Sequence, residues 1–203
     1  MKTSKKIILL LGSLIFFYAI FSYLFKESDI FWYLYPFLIL IGIAISILTS
    51  HHEDELSIWR CLLYGIGYGV ILYGLIRLSY IIFNLIGNNF TKSLSKYIAE
   101  FGPSNIWHYV LLIFIIVVGE ELFWRGYVQQ TLINWTSSFI AVVLSSILYA
   151  GPFLINGYFS FGLLVFISGL CLGAIYEWKK SIPLNIVVHE VYILLLFLLI
   201  PFI

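Results

Sequence analysis

Val117-Val118-Gly119-Glu120-Glu121-Leu122-Phe123-Trp124-Arg125-Gly126 sets two glutamates and an arginine in the middle of an apolar run. A charge at the centre of a bilayer costs at least ~2.5–3.5 kcal/mol on insertion scales. Three such charges within six residues are tolerated only against a protein interior or a wet cavity. Glu121 and Arg125 are four apart, so on a helix they stack on one face and pair. Glu120 lies about 100° round from Glu121. One carboxylate is thereby neutralised by the arginine while the other points elsewhere, which separates the two acids into two roles. A desolvated carboxylate without a cation suits a general base that activates water.

Working outward, the chain is 62% apolar and only 10% charged, against roughly 25% charged in a soluble domain. A single, all-helical integral membrane domain over residues 1–203 is therefore expected, a bundle of about seven spans. Runs of about 20 apolar residues place these at 7–25, 30–48, 61–86, 107–133, 138–155, 160–177 and 184–202. The fifth and sixth runs are short, and Gly151-Pro152 with Asn156-Gly157 leaves room for a re-entrant turn. The first run, behind Lys2, Lys5 and Lys6, is longer than a secretory signal core and lacks a small-residue cleavage site, so it reads as a retained span. Lysines and arginines in the short loops favour a cytosolic N-terminus, and a bacterial plasma membrane is the expected location. No basic patch exists, which argues against a nucleic-acid partner.

Between the third and fourth spans, Thr91 to Phe101 puts Leu94, Tyr97, Ile98 and Phe101 on one face and Lys92, Lys96 and Glu100 on the other. Such a helix either lies on the membrane or packs on the protein itself. His51, His52, Glu53, Asp54 and Glu55 form a polar loop, a solvated hinge before a metal site. Gly65, Gly67 and Gly69 read as small residues for close helix packing. Arg77 either pairs with an intramembrane acid or snorkels to the interface. Cys61 and Cys171 have no ligand spacing and read as small buried hydrophobes. One intramembrane histidine among carboxylates is a poor zinc set, so no metal and no cofactor is expected.

A second ionisable pair lies in the last span, at His189-Glu190. A histidine donor to a developing oxyanion, beside a water-activating glutamate, makes a hydrolytic site. Glu190 projects to another face, where Arg77 or Arg125 is a possible partner. A purely structural role for Glu121 and Arg125, as a helix-locking ion pair, is equally compatible with the spacing, since breaking a buried pair costs ~3–5 kcal/mol.

Glu120-Glu121-Leu122-Phe123-Trp124-Arg125-Gly126-Tyr127 resembles the Glu-Glu-x-x-x-Arg motif of the CAAX prenyl protease 2 type intramembrane proteases. Bacterial members are called CPBP or Abi proteins, for bacteriocin processing and self-immunity. The resemblance continues through Gly169-Leu170-Cys171-Leu172-Gly173 and Tyr176-Glu177 to Ser181-Ile182-Pro183 and His189, roughly residues 105–200; residues 1–104 are not diagnostic. It implies an endopeptidase with Glu120 as base, Glu121 and Arg125 in support and His189 as oxyanion donor. Its substrates would be membrane-anchored peptides or proteins, with membrane lipids as the surroundings.

Two positions depart from that pattern. Phe153 stands where the family's Phe-x-x-x-His motif has its histidine, and Ile193 stands where His-x-x-x-Asn has its asparagine. Neither replacement moves a proton or donates a hydrogen bond. Loss of one oxyanion donor costs ~10²–10³ in rate, and loss of a general acid or base ~10²–10⁴. His108 is no substitute, being about 18 Å from Glu120 along one helix; Tyr149, Tyr192, Asn156 and Asn185 are possible ones. The alternative is a non-cleaving pseudoprotease that binds a membrane or cell-wall enzyme, like the lysostaphin resistance proteins. Transport ranks behind both, because the first two spans carry almost no polar residues.

Overall fold

Without water to bond them, backbone N–H and C=O groups in an apolar run are satisfied only within the segment, as a helix. The computed structural model describes residues 3–50, 56–86 and 89–201, and these are helical apart from short turns. The polar loop His51 to Glu55 lies outside the described residues. In order, the helices are α1 (Thr3–Leu24), α2 (Phe31–Thr49), α3 (Ile58–Ile86), α4 (Asn89–Phe101), α5 (Ile106–Ile133), α6 (Ser138–Ile155), α7 (Phe159–Lys179) and α8 (Ile182–Leu199). All but α4 are long and apolar enough to cross a membrane, seven helices among the described residues. The burial pattern is inverted relative to a soluble protein. Glu120, Glu121, Arg125, Gln129, Asn185 and His189 are buried, while Ile15, Leu48, Phe114 and Phe139 are exposed. Only an apolar medium makes that partition favourable.

The fifth and sixth spans are two full helices rather than a re-entrant turn. Pro152 has no N–H for the Leu148 carbonyl one turn back, and that carbonyl accepts instead from Tyr18 Oη of α1 at 2.9 Å. Gly151 makes room for the tyrosine, since a Cβ there would meet Tyr18 Oη. The chain then turns at Gly157, whose φ of +88° suits glycine. The next reversal, at Lys180-Ser181, starts α8: Ser181 Oγ accepts from Leu184 N at 3.2 Å and Pro183 occupies the first turn.

The main packed pairs are α6 on α7, α3 on α8 and α2 on α5. Gly65 and Gly69 serve the second pair, where an added Cβ would lie 2.5 Å from Val187 and 2.6 Å from Val191; Gly67 faces open space. Helix α4 packs on α7 and α3. It buries Leu94, Tyr97 and Phe101 and leaves Lys92 and Lys96 exposed, so its apolar face covers the protein itself. Tyr97 stacks on Phe161 of α7 with ring centroids 3.7 Å apart.

Candidate active site

Helix α5 carries Glu120 midway along its length. From Glu121 to Gln129 its turns widen to π-helical spacing, a local loosening frequent at functional sites. Ser46 Oγ of α2 donates to the Leu122 carbonyl inside this stretch at 2.8 Å. Gly119, one residue before the acids, lies against Ile39 of α2, with no room for a Cβ. The close approach brings α2 within reach of Glu120.

The two glutamates reach different helices, as their angular separation requires. Glu120 accepts a hydrogen bond from Tyr35 Oη of α2 on Oε1 and one from Tyr149 Oη of α6 on Oε2, the latter at 2.8 Å. Glu121 turns toward α8. Its Oε1 accepts from Arg125 Nη1 at 3.1 Å and bonds His189 Nδ1 at 2.7 Å, and its Oε2 accepts from Asn185 Nδ2 at 3.1 Å. Asn185 Nδ2 also donates to the Leu172 carbonyl of α7 at 2.8 Å. Arg125 lies over the Tyr149 ring, 4.9 Å from its centroid, a cation–π contact joining the two halves of the cluster.

His189 closes the cluster. Glu121, an acceptor held by Arg125, takes the Nδ1 proton, so in the neutral imidazole Nε2 carries the lone pair. That nitrogen lies 3.8 Å from Glu120 Oε2. In that tautomer Nε2 accepts.

A cavity of about 70 Å³ opens beside these groups, room for a few water molecules. Glu120, Tyr35, Tyr149 and His189 form its polar wall, and Phe153 and Ile193 also face it. Phe153 is packed against Phe21, Phe25, Tyr97 and Phe161. It lies one turn beyond Tyr149 on α6 and faces the cavity as Tyr149 does. Gly102 and Pro103, at the end of α4, also line it.

The four residues expected from sequence, Glu120, Glu121, Arg125 and His189, are thus brought into one buried cluster, with Asn185 and Tyr149 from the possible substitutes. Tyr192 stacks on the His189 ring, centroids 5.9 Å apart. Tyr35 joins the cluster without being marked in the sequence: a tyrosine within Trp32-Tyr33-Leu34-Tyr35 carries no signal of its own. His108 stays apart, stacked on Trp32 at 4.3 Å and bonded near Ser104 and Asn105. Arg77 is exposed and donates to Tyr73 Oη at 3.0 Å, and Glu190 is half-buried outside the cluster. Both cysteines are free thiols. Among the described residues, no group of three or more His, Cys, Asp and Glu side chains is arranged to hold a metal ion.

Neither curated proteins nor solved structures give a match to this chain. Residues 102–195 match a family described as Type II CAAX prenyl endopeptidase Rce1-like. That segment supplies every residue of the buried cluster except Tyr35. Over that segment, somewhat less than half of its length, this integral membrane chain resembles the CAAX-endopeptidase family.

Proposed function

We propose that the chain is an intramembrane endopeptidase in which Glu120 and His189 together activate water. The observation that carries the reading is the 3.8 Å gap between Glu120 Oε2 and His189 Nε2 beside the cavity. A water about 2.8 Å from each atom subtends about 85° between them, close to its own bond angle. Held by both hydrogens, it presents its lone pairs to the cavity. Glu120 takes the proton as oxygen attacks, and Glu121 fixes the imidazole for that task much as the carboxylate of a hydrolytic triad does. Arg125 and Asn185 immobilise Glu121 in turn.

Gly102 and Pro103, which line the cavity, follow the third span and so fall at the end of the bundle opposite the N-terminus. With the N-terminus in the cytosol, as the loop charges favour, substrates approach from the outer side. Membrane-tethered peptides or anchored proteins suit a mid-membrane site whose wall is mostly aromatic and aliphatic.

A second reading, a non-cleaving binder, is favoured by Phe153, which puts a packed apolar ring where a proton-moving group would face the cavity. The two readings part in reconstituted vesicles holding a library of membrane-tethered peptides, with products identified by mass spectrometry. Cleavage by the wild type and none by Glu120→Gln supports hydrolysis. Intact peptides with both proteins, together with retained capture of a partner by Glu120→Gln, support the binder.

A further inference from the structure

The hydrolytic reading leaves one requirement open, a donor for the oxyanion. In that reading His189 keeps its Nδ1 proton on Glu121 and accepts from the water at Nε2, so it has none to give, and Ile193 and Phe153 have no polar hydrogen. The cavity wall does hold two O–H groups touching the reacting carboxylate, Tyr35 Oη on Glu120 Oε1 and Tyr149 Oη on Glu120 Oε2. They come from different helices and meet only here. Tyr149 Oη and His189 Nε2 both flank Glu120 Oε2, so the phenol lies beside the place a shared water would occupy.

We propose that Tyr149, with Tyr35 beside it, supplies the hydrogen bonds that stabilise the oxyanion; the inference rests on the hydrolytic reading above. In the resting site each phenol donates to the ionised Glu120. When the water oxygen bonds to the scissile carbonyl carbon, one water proton passes to Glu120 Oε2 and the carbonyl π pair moves onto its oxygen. Negative charge leaves Glu120 and appears on the substrate oxygen. Once protonated, Oε2 is a poorer acceptor than the new oxyanion, and the Tyr149 O–H turns from one to the other. No proton leaves the phenol. The donor follows the charge, which makes the interaction stronger in the transition state than in the ground state, the condition for raising kcat. Arg125 over the Tyr149 ring and Tyr97 and Phe153 nearby hold the aromatic wall in place.

The test uses the full chain in vesicles, on a tethered peptide that the wild type cleaves. Tyr149→Phe removes the hydroxyl and keeps the ring. The expected result is a kcat lower by ~10²–10³-fold with KM changed only a few-fold and the thermal midpoint close to wild type. A second arm measures affinity for a phosphonate peptide, an anionic tetrahedral mimic, relative to its parent peptide. The wild type prefers the mimic, and Tyr149→Phe loses most of that preference. Full kcat and an intact preference in Tyr149→Phe overturn the inference while leaving hydrolysis standing. A wild type that cleaves no peptide fails the hydrolytic reading, and the phosphonate arm then decides: a wild type without preference for the mimic overturns the inference too. If Tyr149→Phe does not fold, 4-fluorophenylalanine at position 149, which keeps the outline of the phenol and removes its proton, takes its place with the same two readouts; full kcat and an intact preference again overturn the role.

Discussion

His189 Nδ1 lies 2.7 Å from Glu121 Oε1, and Arg125 Nη1 holds that same oxygen at 3.1 Å. One carboxylate oxygen thereby both orients the imidazole and neutralises the guanidinium, in a fully buried setting. The neighbouring Glu120 has no such duty to Arg125. Substitution therefore separates the two acids. Glu121→Gln leaves Arg125 charged and without its partner, so it lowers stability by about 3–5 kcal/mol and abolishes cleavage. Glu120→Gln abolishes cleavage while changing stability by no more than about 1 kcal/mol, because the amide still bonds the two tyrosines and one buried charge is removed. Reversible unfolding in mixed micelles gives both values. Equal stability losses in the two variants would contradict this division of roles.

The Glu-Glu-x-x-x-Arg spacing and a lone intramembrane histidine single out Glu120, Glu121, Arg125 and His189, which the fold brings into one cluster, because charges in an apolar run have few reasons to be there. Residues without charge were harder to read. Tyr149 and Asn185 sit four residues before Phe153 and His189, on the same helical faces, which is a signal only once those faces are known to line the site. Tyr35 depends on how α2 meets α5 through Gly119, a tertiary contact with no trace in the α2 sequence. The proline at 152 suggested a break, and the helix survives it because Tyr18, from a helix far away in sequence, satisfies the carbonyl that proline frees.

That last contact is itself testable. Tyr18→Phe leaves the Leu148 carbonyl without its donor inside a span, where no water replaces it. A loss of about 1 kcal/mol is expected, within the range of interhelical hydrogen bonds in membranes. Gly151→Ala acts on the same contact from the other side by displacing the Tyr18 hydroxyl. The two losses are therefore expected to be sub-additive in a double-mutant cycle; strict additivity would mean that the two substitutions act independently.

The glycines of α3 make a sharper contrast than their spacing alone suggests. At Gly69 a Cβ would lie 2.6 Å from Val191, two residues beyond the histidine of the site, whereas at Gly67 it meets nothing within 4 Å. Gly69→Ala is expected to cost about 1–3 kcal/mol by overpacking and to reduce cleavage by shifting α8. Gly67→Ala is expected to stabilise by roughly 0.5–1 kcal/mol through helix propensity. Melting both variants beside the wild type decides the matter: the same sign for both would refute the packing assigned to Gly69.

At the C-terminal end of α4, Tyr158 Oη donates to Glu100 Oε2 at 2.8 Å, with Lys96 Nζ 5.9 Å from the Tyr158 ring centroid. Tyr97 of α4 has its ring 5.3 Å from that of Tyr158, and burial holds its phenol well above the usual range. Burial first, then the hydrogen bond to Glu100 and its charge, push the Tyr158 phenol up to about 12, against roughly 10 in an unfolded chain. The raised value favours the neutral form in the docked state, so the contribution of this contact to stability is fully present below about pH 10. It declines as pH rises from there through about 12, because the undocked phenol ionises first. The helix is therefore expected to stay docked across the neutral range and to loosen only in strong alkali. Phenolate absorbance of the wild type minus that of Tyr158→Phe isolates the transition. A midpoint near 12 fits the geometry, and one near 10 would mean that Tyr158 is not docked against α4 in the membrane.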